Sequence, residues 1–184
     1  MNLTLSWDLV IIVFFAVIIT YTFIIGRKES IKIIIASYIA IVAVQGVGNG
    51  LQRLMNGSAT LLGPIGFNMD LTILSTTKLV LFIAIIIFLT VRAVFEIVYT
   101  QEPSLLMNGV YTGLFGFATA GLLLSTLLTY VAGVPLLDAN LQYSSAVSPI
   151  IQQSQLMQLM IVNQDLWFCF PAILLMVVGF LSNK

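Results

Sequence analysis

Residues 7–49 read WDLVIIVFFAVIITYTFIIGRKESIKIIIASYIAIVAVQGVGN. Two apolar runs flank a five-residue basic connector, Gly26-Arg27-Lys28-Glu29-Ser30. A helix of about 17–25 apolar residues crosses the hydrocarbon core of a bilayer. The connector is too short for anything but a tight reversal, so the stretch predicts an antiparallel pair of transmembrane helices, 7–25 and 31–49. Met1–Leu5 carries no Lys or Arg. The first run therefore lacks the basic flank of a cleavable signal and is expected to stay in the mature protein.

The rest of the 184-residue chain repeats this chemistry. It is 60% hydrophobic and 8% charged, with mean hydropathy +1.10. Soluble domains are about 25% charged, and a chain this poor in charge cannot cover a water-soluble core. Three more spans are expected at 79–99, 108–131 and 166–181. The last is short and holds Pro171, so it either spans or is re-entrant. The expected fold is an all-α, polytopic membrane helix bundle forming one domain, 1–184. It has about five transmembrane helices, or four if the last is re-entrant.

Turn signals at Asn56-Gly57-Ser58, Gly63-Pro64-Ile65-Gly66, Gln101-Glu102-Pro103-Ser104 and Gly133-Val134-Pro135 separate the spans. The loop from Pro135 to Asp165 is too long for a turn. Ser148-Pro149 reads as an N-cap with proline at the first helical position. The stretch 149–163 mixes Ile, Leu and Met with four glutamines. It is expected to form an interfacial helix that covers one mouth of the bundle or docks a partner.

Basic residues near helix ends set orientation. With the N-terminus outside, Arg27, Lys28, Lys32, Arg92 and Lys184 face the cytoplasm, and Arg53 and Lys78 face out. The expectation is N-terminus outside, C-terminus cytoplasmic. Trp7, Tyr99, Tyr111, Tyr130 and Trp167 fall at predicted span ends, as an aromatic belt would.

The counts also narrow the chemistry. There is no His and one Cys, Cys169, so the ligands of zinc and iron–sulfur sites are missing. Seven acids balance seven bases with no basic patch, which excludes nucleic-acid binding. No G-x-S-x-G or phosphate-binding loop occurs. No catalytic residue, metal or cofactor is expected, and the chain is not read as an enzyme.

Polar residues at membrane depth are the remaining pointers. Arg92 and Glu96, four apart, form either an interfacial anchor pair or the lining of a polar path. Tyr38, Gln45, Asn49 and Gln52 share one stripe of the second helix, as inter-helix hydrogen-bonding groups or a hydrophilic path. Gly109 and Gly113, extended by Gly116 and Ala120, form a close-packing stripe, used within the monomer or for self-association. Thr112, Thr119 and Thr126 recur every seven residues beside it, placed to bond across helices.

Several of these residues together resemble the CvpA family (colicin V production proteins) over roughly 7–150. They are Trp7-Asp8-Leu9-Val10-Ile11-Ile12 before the first span, the connector Gly26-Arg27-Lys28, and a third span ending at Arg92. Asn108-Gly109-x-x-x-Gly113-x-x-Gly116-x-x-x-x-Gly121 in the fourth span and the stretch 145–149, ending Ser148-Pro149, complete the likeness. Two features depart from it: Glu29-Ser30 stand where the family tends to have glycine, and the family typically has four spans. The resemblance implies a multi-pass protein of the bacterial inner (plasma) membrane, tied to colicin V export and envelope maintenance. It implies no reaction.

Two functional readings result. The first is a non-enzymatic scaffold or accessory subunit of an export or envelope-maintenance complex, acting through helix–helix and loop contacts. Its partners are the lipid bilayer and other membrane proteins or a second copy. The alternative is a small oligomeric channel or transporter using the polar stripes of the second and fourth helices.

Overall fold

A computed structural model describes residues 7–57, 71–92, 105–133, 136 and 154–181. These form five helices: α1 (Trp7–Gly57), α2 (Leu71–Arg92), α3 (Leu105–Ala132), α4 (Gln155–Val162) and α5 (Gln164–Leu181). The fold is an all-α bundle.

As one straight rod, α1 would be about 76 Å long, more than twice the thickness of a hydrocarbon core. Its contacts show that it folds back. Gly113 of α3 lies against Phe23, and Gly116 lies against Ile19 and Thr22. Ile11 shares a cluster with Leu124 and Leu128. The arm 7–25 therefore runs antiparallel to α3. Beyond the break the sense reverses. Arg27 stands over the ring of Tyr111, whereas Val44 shares a cluster with Phe82 and Tyr130. Residues 27–57 thus run parallel to α3.

The reversal sits at Gly26, with φ 81° and ψ 173°. That conformation is essentially restricted to glycine, since any Cβ would clash with the backbone there. The Ser30 hydroxyl donates to the Gly26 carbonyl at 2.9 Å and secures the first turn after the break.

Trp7–Leu51, Leu74–Arg92 and Leu106–Ala132 are each long and apolar enough to cross a membrane. The pair α4–α5, bent by 65°, makes a fourth candidate. The two arms of α1 run in opposite senses, so each is a candidate crossing of its own. The third helix begins at Leu71, ahead of the expected start at 79, and the expected stretch 93–99 lies outside the described residues. Leu71–Thr77 joins the helix although it is richer in hydroxyls than residues 78–92, because Ser75 is bonded inside the bundle to the Tyr130 carbonyl.

The centre of the bundle is α3. Of its most apolar stretch 72% is buried, against 11% for α1 and for α2. Its sequence explains this. Gly113, Gly116, Ala118, Ala120 and Gly121 carry little or no side chain, so neighbours can close on several faces. At Gly116 an added Cβ would stand 3.2 Å from the Ile19 Cα, so the two backbones nearly touch. At Gly121 the space is filled by the Trp167 ring. Phe115, Ala118 and Leu122 complete the core against Ile34, Ala40 and Val44.

Candidate functional site

Among the described residues, the sequence-predicted polar residues do not converge on one site. Thr112, Thr119 and Thr126 are buried, but each hydroxyl donates 2.7 Å to a carbonyl four residues back: Asn108, Phe115 and Leu122. The expectation that they bond across helices is corrected. A threonine hydroxyl reaches the preceding turn of its own helix without any partner, and that local bond wins. Thr22, Ser37 and Thr129 do the same.

The stripe of the second arm lies at the rim of its buried face. The centre of that face is Ile34, Ser37, Ile41, Val44 and Gly48. Tyr38 turns inward and donates its hydroxyl to the Phe168 carbonyl of α5, one residue past the carbonyl that Pro171 leaves without its helical donor. Gln45 is half-buried, Asn49 is exposed, and the side chain of Gln52 lies outside the described residues. Tyr38, Gln45 and Asn49 do not line one path.

Gly109 meets nothing within 4 Å, and Gly113 makes only ordinary contact with Phe23. The close approach rests on Gly116, with Ala120 buried one turn on, and it is made within the monomer. Arg92 is exposed at the end of α2, and Glu96 lies outside the described residues, as does Ser148. The N-cap of α4 is Ser154, whose side chain accepts from the Met157 N–H at 3.1 Å. Residue 154 is extended, so α4 begins at Gln155, and the expected start at Ser148-Pro149 lies outside the described residues. Tyr130 and Trp167 pack inside, against Phe82 and over Gly121, rather than forming a belt.

Two features carry no sequence motif. One is Asp8, the only carboxylate in the first 25 residues. Its Oδ1 accepts from the Ser154 hydroxyl and, at 3.2 Å, from the Leu156 N–H. A negative charge at a helix N-terminus satisfies its free N–H groups and opposes its dipole. Asp8 thereby ties α4 to the start of α1. Met157, Met160 and Ile161 then bury against Ile11, Leu124 and Leu128. Gln155, Gln158, Leu159 and Val162 face outward.

The other feature is a groove of about 860 Å³ in the elbow between α4 and α5. Phe15, Phe117 and Trp167 meet there with ring centroids 5.4–5.8 Å apart. Ile12, Leu159, Leu166 and Ile173 lie along it. Asn163 supplies the one amide and Cys169 the one thiol on its wall.

Among the described residues, charged side chains gather at the two ends of the bundle. Arg27, Lys28, Lys32 and Arg92 gather where the hairpin turns, and Lys32 pairs with Glu29 at 2.7 Å. The Arg27 guanidinium lies 5.9 Å from the centroid of the Tyr111 ring, a cation–π contact that joins the hairpin to α3. Arg53, Lys78, Asp8 and Asp165 belong to the opposite end. There Lys78 passes its stem across Gly48, where an added Cβ would collide with the Lys78 Cε. Comparison with protein-family models, curated proteins and solved structures finds no match.

Proposed function

We propose that the chain is a non-enzymatic scaffold or accessory subunit of a membrane complex. The observation that carries this reading is the closed interior around α3. Its threonine hydroxyls bond into their own helix, and small residues bring the helices into direct contact. Such a core transmits position and, among the described residues, holds no chain of polar groups for a solute. The contact surface is at one end, where Asp8 fixes α4 and leaves its Gln and Leu face outward. Amides with interleaved apolar groups suit docking to another membrane protein.

The basic end with Arg27, Lys28, Lys32 and Arg92 supports a cytoplasmic hairpin, with the N-terminus outside. The CvpA-like opening, connector and glycine pattern support the bacterial inner membrane and a part in export or envelope maintenance.

The test is affinity purification of the tagged protein from native membranes in mild detergent, with mass spectrometry of the proteins that accompany it. A stoichiometric membrane partner is expected. A partner-free protein that conducts a solute in liposomes would overturn the reading in favour of a pore.

A further inference from the structure

We draw no further inference here: the strongest candidate, the apolar groove of about 860 Å³ in the elbow between α4 and α5, lined by Phe15, Phe117 and Trp167, carries nothing because nothing in the structure shows what covers it.

Discussion

A glycine earns its place in α3 only where another backbone arrives. At Gly116 an added Cβ would stand 3.1 Å from the Thr22 Cβ and 3.2 Å from the Ile19 Cα, and main chain cannot swing aside. At Gly113 the nearest atom is the Phe23 Cζ at 3.5 Å, a normal contact. Gly116→Leu is therefore expected to separate the first arm from α3 and destabilise the bundle by about 1–3 kcal/mol or more. Gly113→Ala should be nearly neutral. Unfolding in mixed micelles, followed by helicity, reads both. Equal losses for the two variants would contradict the assignment of the close contact to Gly116. The repeat of small residues was legible in the sequence, but its partner was not. Spacing marks a face, and only the neighbouring helix decides which glycine on it is filled.

At the scale of elements, the hairpin is the most legible part of the fold. An apolar run, a glycine with two bases, and a second apolar run leave the chain no room for another path. The third helix was less legible. The hydroxyl-rich stretch 71–77 draws the expected start to 79, whereas the bond from Ser75 to the Tyr130 carbonyl holds that stretch in the helix from Leu71. The cap of α4 at Ser154 gains its strength from Asp8, 146 residues away, and no local pattern reports such a partner. Asp8→Ala is expected to leave the spans intact while loosening α4. Losing a cap of this kind costs about 0.5–2 kcal/mol. Hydrogen exchange should rise at the amides of Leu156 and Met157 by about tenfold, with α3 unchanged. Unaltered exchange in α4 would show that Met157, Met160 and Ile161 hold it without the carboxylate.

For the whole molecule, the groove shows why the candidate site was beyond sequence reading. Phe15, Phe117, Leu159 and Ile173 come from four helices, and each alone is an ordinary apolar residue of a span. Their juxtaposition is a product of the bend between α4 and α5 and of the reversal at Gly26. That reversal is also what makes α3 central, by laying both arms of α1 beside it. The bundle, the basic end and the apolar groove all depend on it, so it is the claim to test first. Cys169 is the single cysteine, and a Cys169→Ser background allows one new cysteine at a time. Trp7→Cys, Lys28→Cys and Arg53→Cys would be labelled with a membrane-impermeant maleimide in sealed vesicles of one orientation. Residues 7 and 53 are expected to label from one side and residue 28 from the other, with labelling at 28 from the cytoplasmic face. Labelling of 28 from the same side as 53 would contradict the hairpin and the bundle built on it.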